Sequence, residues 1–449
     1  MTLSRHRSVR MRIAPAGACM VLATLLILLG SSTSGRAQTT DLRQLADDAG
    51  MGFGAAVDTD ALADDSYRQL LVDHVNLVST RGDLSMAVVQ PGPDVFDFTR
   101  ADAVVDFAVE NDMLARGHEL ISGVVPGWVT AGVWTADSLA EVLRAHVTAV
   151  VEHYRDLYPG VVTQWDVVGD AFLADGTLRP TIWQQVIGDD YLRIAFEAAR
   201  DADPDAVLFY DDFYDDVAVT QDAVERGAEI VPGANAERTT CDAVPKCVGV
   251  RDRVAALVAE GVPIDGVGFQ SHLFSPDPAD FTLFTAWVAD LGLSWAVTEF
   301  DVPLPVTEIT NPASLEFQAT VYADALAACA DAANCDTFVT WGISDRFSPI
   351  PAETGGAFGG ALWFDASDAP KPAFESMAQV LAQRGPAAPT GSTGSTVVSS
   401  IEAPAETTVA PDAAPIADDE NGTIVAAIVA VAALGAIAIA IVVARRRRT

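Results

Sequence analysis

Positive charge is scarce in this sequence. Lysine and arginine together number 27 against 62 aspartates and glutamates, and Lys246 and Lys371 are the only lysines. The formal net charge of -35 gives a surface that repels nucleic acid and anionic lipid. Those two classes of partner are therefore excluded for the folded body, whereas a neutral polymer is compatible with its charge.

Cysteine is also scarce, and its spacing disfavours a zinc site. Apart from Cys19, the cysteines form two close pairs, Cys241 with Cys247 and Cys329 with Cys335. A zinc site, the alternative, would need tighter C-x-x-C pairs or neighbouring histidines, and the sequence has neither. The first residues, described next, predict export to oxidising conditions, so we expect two local disulfides and no metal.

The first residues have the features of an export signal. Four arginines between Arg5 and Arg12 precede an apolar run from about Ala14 to Leu29, and small residues follow as far as Ala37. This order of a basic region, an apolar region and a small-residue cleavage site is typical of a secretory signal peptide. We predict a signal peptide over residues 1–37.

The last residues predict a membrane anchor. The segment from Ile424 to Ala444 is apolar, uncharged and long enough to cross a hydrocarbon layer of about 30 Å. Four arginines follow it, which places residues 445–449 in the cytoplasm by the positive-inside rule. We predict a transmembrane helix over residues 422–444 rather than the alternative, a buried core helix. The protein is then expected at the cell surface, anchored in the plasma membrane.

Residues 385–421 are rich in Pro, Ala, Ser and Thr and contain few large apolar side chains. Such a segment buries too little surface to fold, so we predict a disordered linker there.

The body between these segments alternates short apolar runs with longer amphipathic stretches, which predicts βαβ units and a parallel sheet. Helices are predicted between the strands, at 101–111, 137–157, 189–201, 248–260 and 315–333. The eight predicted strands are residues 52–57, 74–79, 117–125, 163–170, 206–212, 264–271, 294–300 and 337–344.

Eight such units predict an α/β fold, a (β/α)8 TIM barrel over residues 43–384. A doubly wound open sheet is the alternative, but no Gly-rich phosphate loop follows the first strand. Barrel active sites lie at the carboxyl ends of the strands. The predicted strands finish in polar or aromatic residues, namely His118, Asp170, Asp211, Asp212, Gln270, His272, Glu299, Asp301 and Trp341.

Two of these strand ends supply a carboxylate pair. Asp170 follows the fourth strand and Glu299 ends the seventh, and these strands face each other across a barrel of eight. Glycoside hydrolysis needs two carboxyl groups flanking one bond, about 5–5.5 Å apart in enzymes that retain anomeric configuration. The pair therefore predicts a glycoside hydrolase.

Several segments resemble the glycoside hydrolase family 10 xylanases. Residues 165–172 (WDVVGDAF) resemble the family's acid/base motif WDVVNEAF, and residues 297–301 (VTEFD) resemble its nucleophile motif. The resemblance spans about residues 51–383 in order. Further matches are residues 116–118 (RGH), 266–273 (GVGFQSHL), 341–345 (WGISD) and 359–374, which end in KPAF.

The resemblance implies a retaining endo-1,4-β-xylanase acting on a polysaccharide, without a cofactor. Glu299 takes the nucleophile position, with His272 and Asp301 orienting it, and Asp170 takes the acid/base position. His118, Gln270 and Trp341 would bind substrate. The alternatives are a core histidine at His272 and barrel packing at Trp341. The Cys329–Cys335 pair also resembles a disulfide of the family.

The chain departs from the family at several of these positions. Asp170 replaces a Glu, which withdraws the acid by roughly 1.5 Å, and Gly169 replaces the Asn that holds the sugar 2-hydroxyl in the family. The sugar-contacting stretches after strands two and three align with residues 81–86 and 122–125, where most family residues are missing. Activity could therefore be weakened or redirected to another β-glycan.

Two other functions remain open. The chain could be a catalytically impaired glycan-binding protein of the cell surface, or a metal-dependent hydrolase using Asp211, Asp212 and His118. The metal hydrolase is weaker, because barrel metal sites usually need several convergent histidines. An inserted segment at residues 217–246, closed by the Cys241–Cys247 disulfide, is expected either to shape the pocket or to form a solvated surface loop.

Overall fold

A computed structural model describes residues 41–213, 240–273 and 281–384 of the chain. Eight parallel strands pair with their neighbours in chain order and form a closed barrel. The last strand pairs with the first, with Gly52 opposite Thr337 and Ala55 opposite Thr340. The closed barrel confirms the predicted (β/α)8 class and excludes the open sheet. The strands are β1 Gly52–Val57, β2 Leu77–Thr80, β3 Leu114–Ile121, β4 Val162–Gly169, β5 Val207–Phe213, β6 Gly266–His272, β7 Ser294–Asp301 and β8 Cys335–Thr340.

Helices surround the barrel and bury one face against it. The helix Ala136–Leu157 shows why: Thr135 caps it through a reciprocal bond with Ser138, and its buried side chains recur every three or four residues from Leu139 to Tyr154. The longer described helices are Leu42–Ala49, Asp65–His74, Thr99–Glu110, Ala136–Leu157, Tyr191–Ala202, Pro245–Ala259, Phe281–Asp290, Pro312–Asp331 and Pro372–Arg384. Shorter helical turns are Thr59–Leu62, Gly82–Leu84, Met86–Val89, Gly127–Ala131, Ile182–Ile187, Cys241–Ala243, Asp345–Phe347 and Ile350–Glu353.

The core is continuous through the barrel wall and contains many aromatic rings, among them Trp165, Trp295 and Trp363. The indole of Trp165 packs directly over Gly117 of β3, where a β-carbon would overlap it. The strands are almost wholly buried, which is what parallel strands covered by helices require.

Most strand boundaries lie within two residues of the prediction, but β2, β3 and β8 each have a boundary that differs by three or four residues. His74 does not begin β2 but ends the helix Asp65–His74, and its ring packs against Phe364 and Phe374. The third strand runs from Leu114 to Ile121 rather than from residue 117 to residue 125, and the eighth ends at Thr340 rather than at residue 344. The late ends were predicted because apolar residues continue in the sequence after the backbone has left the extended conformation.

Both expected disulfides are present. Cys329–Cys335 joins the helix Pro312–Asp331 to the start of β8, and Cys241–Cys247 joins a short turn to the helix Pro245–Ala259. Leu304–Pro305 and Phe358–Gly359 form a small antiparallel ribbon beside the barrel.

The predicted signal peptide, linker, transmembrane helix and basic tail lie outside the described residues, as do residues 217–239 of the inserted segment. Within the described ranges, no helix is both apolar enough and long enough to span a bilayer.

Candidate active site

The predicted site residues gather at one mouth of the barrel, around Glu299 at the end of β7. Nε2 of His272 lies 3.0 Å from one carboxylate oxygen of Glu299. Nε2 of His118 lies 3.3 Å from the other oxygen. Both histidines come from other strands, β3 and β6, so Glu299 is held from two sides.

Both histidines are poised to carry positive charge. Burial alone would lower the pKa of His118, but Glu299 and Asp166 outweigh it and raise that pKa well above its usual value. Burial likewise opposes the charge of His272, and Asp301 and Glu299 raise its pKa well above the usual value. Two imidazolium groups on opposite sides of the Glu299 carboxylate hold it in one orientation.

Each histidine is oriented by a second carboxylate. Nδ1 of His272 lies 3.1 Å from Oδ1 of Asp301, and Nδ1 of His118 lies 3.1 Å from Oδ2 of Asp166. Because both ring nitrogens of each imidazole have carboxylate partners, neither ring can rotate without losing a hydrogen bond. Asp301 thus contacts His272, and its orienting role stays a prediction.

Below His118, a buried ion pair joins β3 to β4. Arg116 donates from Nη2 and Nε to the two oxygens of Asp166, at 2.5 and 2.9 Å, and from Nη1 to Gln164 at 2.6 Å. Both charged side chains have no solvent exposure. Burial raises the pKa of Asp166, but Arg116 and His118 outweigh it, so the pKa is lowered and the carboxylate stays ionised.

Gln270 is hydrogen-bonded to a further carboxyl group of the site, that of Asp211. Its amide nitrogen donates to Oδ2 of Asp211 at 2.9 Å, and the hydroxyl of Thr298 donates to the other oxygen at 2.7 Å. Burial raises the pKa of Asp211 well above its usual value, with Asp166 adding to the shift. Gln270 is therefore fixed by a buried carboxyl group that belongs to the same cluster.

Trp341 forms a wall of the site. Its half-buried ring meets His118 and His272 edge to face, at centroid distances of 5.5 and 5.8 Å. The guanidinium of Arg81 lies 5.2 Å from the centroid of the ring and is also paired with Asp58. The role of Trp341 as a sugar platform stays a prediction, and a half-buried indole beside the candidate nucleophile is compatible with it.

Asp170 follows β4 in a left-handed backbone conformation, with φ of 54°. Its Oδ1 is buried and has no hydrogen-bond partner among the described residues. Burial, Asp212 and Glu299 raise the pKa of Asp170 to about 6, while Lys246 and Arg179 oppose the shift. This is the environment of a carboxyl group that can hold and release a proton near neutral pH.

The neighbour of Asp170 on β5 is paired with one of the two lysines. Nζ of Lys246 lies 2.6 Å from Oδ1 of Asp212, and the hydroxyl of Tyr210 donates to Oδ2 at 2.6 Å. Lys246 follows Cys241 in the described part of the inserted segment. That segment thus places a positive charge close to Asp170.

The metal alternative does not fit the donor set. His118, Asp166 and Asp211 do bring three ligand atoms within 4.8 Å of one another. However, Asp166 is already bound on both oxygens by Arg116, and Asp211 by Gln270 and Thr298. Asp212, which the metal hypothesis also needs, is paired with Lys246 instead. A guanidinium in contact with a ligand carboxylate opposes a cation there.

Known proteins are similar to this chain in fold and in sequence. The sequence model of one protein family, Glycosyl hydrolase family 10, matches residues 41–244 and 238–380 of this chain. The chain belongs to glycosyl hydrolase family 10. A family relative, endo-1,4-beta-xylanase B of Thermotoga neapolitana, is 31% identical over 368 residues, which cover 81% of this chain and 97% of that protein.

Solved structures of family 10 agree. Native xylanase 10B from Thermotoga maritima superimposes with a TM-score of 0.66 at 31% identity, covering 77% of this chain and 98% of that one. Xylanase 10B from Thermotoga petrophila, in complex with xylobiose, gives a TM-score of 0.67 at 30% identity and covers 78% and 99% of the two chains.

Several charged residues of this family 10 site were missed by the sequence analysis, among them Asp166, Lys246 and Glu119. Glu119 follows His118 in β3, where strict alternation would send it away from the barrel mouth. The register of β3 against β4 shifts between His118 and Ile121, and the carboxyl group of Glu119 lies against Gly169.

Proposed function

We propose that the protein hydrolyses a β-1,4-linked glycan of the xylan type with retention of configuration. The observation that carries the proposal is the position of Glu299 between the imidazoles of His118 and His272, at 3.3 and 3.0 Å. That environment holds the carboxylate in one orientation, and attack on an anomeric carbon requires an oriented carboxylate.

In the proposed reaction, a Glu299 oxygen bonds to the anomeric carbon while the glycosidic carbon–oxygen bond breaks. Asp170 donates its proton to the departing oxygen. A water molecule then attacks the same carbon, Asp170 accepts a proton from it, and the bond to Glu299 breaks. A pKa of about 6 suits Asp170 to both transfers.

The test uses aryl β-xylobiosides with good and poor leaving groups. Glu299→Ala should lose all turnover on both substrates. Asp170→Ala should lose on the order of 10²–10⁴-fold with the poor leaving group and much less with the good one, because only the poor one needs a proton. Added azide should restore turnover of the activated substrate by Asp170→Ala and yield a β-glycosyl azide, the product expected of a retaining enzyme.

A second candidate is a glycan-binding protein with little or no catalysis. It is favoured by Gly169 and by the short Asp170, because an acid misplaced by about 1 Å can cost about 100-fold in rate. If the wild type and Glu299→Ala are equally silent on aryl xylosides, aryl glucosides and xylan, yet both bind xylo-oligosaccharides, this candidate replaces the hydrolase.

We also propose that the barrel is exported and tethered to the plasma membrane by residues 422–444. The apolar segment and the four arginines after it support this placement. Protease treatment of intact cells should release the barrel, and deletion of residues 422–449 should move it to the medium. Retention of the truncated protein inside the cell would contradict the export.

A further inference from the structure

The carboxyl group of Glu119 occupies the place where a side chain of residue 169 would begin. A β-carbon added to Gly169 would overlap Oε2 of Glu119 and lie 2.8 Å from its Cδ. Gly169 is the last residue of β4 and directly precedes Asp170. The space that a side chain of residue 169 on β4 would occupy is therefore filled by the Glu119 side chain from β3.

One oxygen of this carboxyl group is unused by the protein. Oε2 of Glu119 is buried and has no hydrogen-bond partner among the described residues. The charged groups that act on the carboxyl are His118 on β3, Asp170 after β4 and Glu299 on β7, and the hydroxyl of Ser122 bonds to it. A buried polar atom without a partner costs free energy, which a bound ligand can recover.

The same neighbours decide the charge of Glu119. Burial raises its pKa to about 8, Asp170 and Glu299 contribute in the same direction, and His118 opposes them. At neutral pH the group is then a neutral carboxylic acid. Such a group offers one O–H donor and one C=O acceptor, as a side-chain amide offers both an N–H donor and a C=O acceptor.

We propose that Glu119 is a substrate-binding residue whose carboxyl group hydrogen-bonds a hydroxyl of the sugar that Glu299 attacks. It takes over the contact that residue 169, as a glycine, is unable to make. This inference rests on the proposed function and goes beyond it, since it assigns sugar recognition to a residue of β3 that belongs to neither the acid/base pair nor its orienting histidines.

The main experiment compares Glu119→Gln with Glu119→Ala on dinitrophenyl β-xylobioside, whose leaving group needs no proton from Asp170. Glu119→Ala should lower kcat/KM on the order of 10- to 100-fold, the effect of removing a buried hydrogen bond to substrate. Glu119→Gln keeps a donor and an acceptor, so its loss should be less than about 5-fold. Glu141→Gln, an exposed glutamate on the helix Ala136–Leu157, is the matched control.

The pH profile provides a readout that a purely structural role would not change. Above about pH 8 the carboxyl group ionises, loses its donor and adds a negative charge beside Glu299 and Asp170. On the same substrate, kcat/KM of the wild type should fall through that pH, and the fall should be absent in Glu119→Gln. An unchanged alkaline fall in Glu119→Gln would overturn the proposal.

Two kinetic outcomes would also overturn it. If Glu119→Gln is as impaired as Glu119→Ala, the effect depends on the acidity or charge of the carboxyl group and not on its hydrogen bonds to sugar. If Glu119→Ala equals the wild type, the side chain only fills space. Gly169→Ala gives a second route: it should impair the wild type, because the new methyl displaces Glu119, and should cost little more in the Glu119→Ala background.

Failure of the proposed hydrolase function would be visible separately. If the wild type shows no turnover that Glu299→Ala abolishes, the contribution of Glu119 to sugar binding can still be measured as the affinity for xylobiose by calorimetry. Glu119→Ala should then bind at least about 10-fold more weakly than the wild type, and Glu119→Gln within about 5-fold. Equal affinities of Glu119→Ala and wild type would overturn the Glu119 proposal in that case as well.

Discussion

At the scale of single residues, His272 links the two carboxylates that end β7. Its pKa is raised in the folded barrel by Asp301 and Glu299 against the effect of burial. A histidine whose pKa is raised by folding contributes its full stabilisation at pH values below its pKa in the unfolded chain, about 6.5. This contribution is lost as the pH rises through the pKa of the folded state. His272→Ala should therefore be less stable than the wild type at about pH 6, with a difference that shrinks well above neutrality.

Urea unfolding of both proteins at several pH values measures this difference. His74→Ala is an informative control, because burial lowers the pKa of His74. A histidine whose pKa is lowered by folding stabilises the fold more at neutral than at acid pH. The destabilisation caused by His74→Ala should therefore grow as the pH rises from acid to neutral. A destabilisation by His272→Ala that does not change with pH would show that the ring acts through packing alone.

The residues of this site were unequally accessible to sequence reasoning. Glu299, His272 and Asp301 stand at strand ends inside recognisable motifs, and strand ends in a barrel converge at one mouth. Glu119 was not accessible, because its orientation depends on a register shift in β3 that a period of two does not encode. Lys246 was not accessible either, since its pairing with Asp212 depends on how the inserted segment folds.

At the scale of elements, the Arg116–Asp166 pair fastens β3 to β4 beneath the site. Removing the arginine leaves a buried carboxylate and Gln164 without their partner, so Arg116→Ala should cost about 3–5 kcal/mol of unfolding free energy. The exposed Arg68–Glu110 pair, 3.4 Å apart, is the comparison, and Arg68→Ala should cost about 0–1 kcal/mol. Similar losses in the two variants would contradict the importance of the buried pair.

The two disulfides offer a test of how the inserted segment serves the site. Both close a sequence separation of 6, so loop entropy gives each about 2 kcal/mol of stability. Replacing Cys241 and Cys247 by Ser should also lower the proposed activity, because Lys246 adjoins Cys247 and acts on Asp170.

The same change at Cys329 and Cys335, at the start of β8, should cost similar stability and leave kcat/KM within about 2-fold of wild type. Thermal unfolding and hydrolysis of an aryl xylobioside, measured on both double variants, separate the two effects. Equal activity in the two variants would show that the Cys241–Cys247 bond does not position Lys246.

At the scale of the whole molecule, the barrel was predictable because many weak signals agree. Each βα unit supplies an apolar run of strand length and an amphipathic stretch of helix length, and eight repetitions leave little choice of topology. The ends of the strands were less predictable. His74 was assigned to β2, but it lies at the end of a helix and its ring packs against aromatic side chains there. The local sequence therefore predicts whether a segment is a helix or a strand more clearly than it predicts where that segment ends.

The excess of carboxylates has a consequence for the whole fold. With a formal net charge of -35, folding brings like charges together, and their repulsion opposes the compact state. Sodium chloride raised from about 0.02 to about 0.5 M shortens the screening length from roughly 20 Å to roughly 4 Å. The melting temperature at pH 7 should therefore rise by about 2–5 °C.

Near pH 4, where many carboxylates are protonated, the same increase in sodium chloride should raise the melting temperature much less. An equal rise at both pH values would assign the stabilisation to hydration rather than to charge.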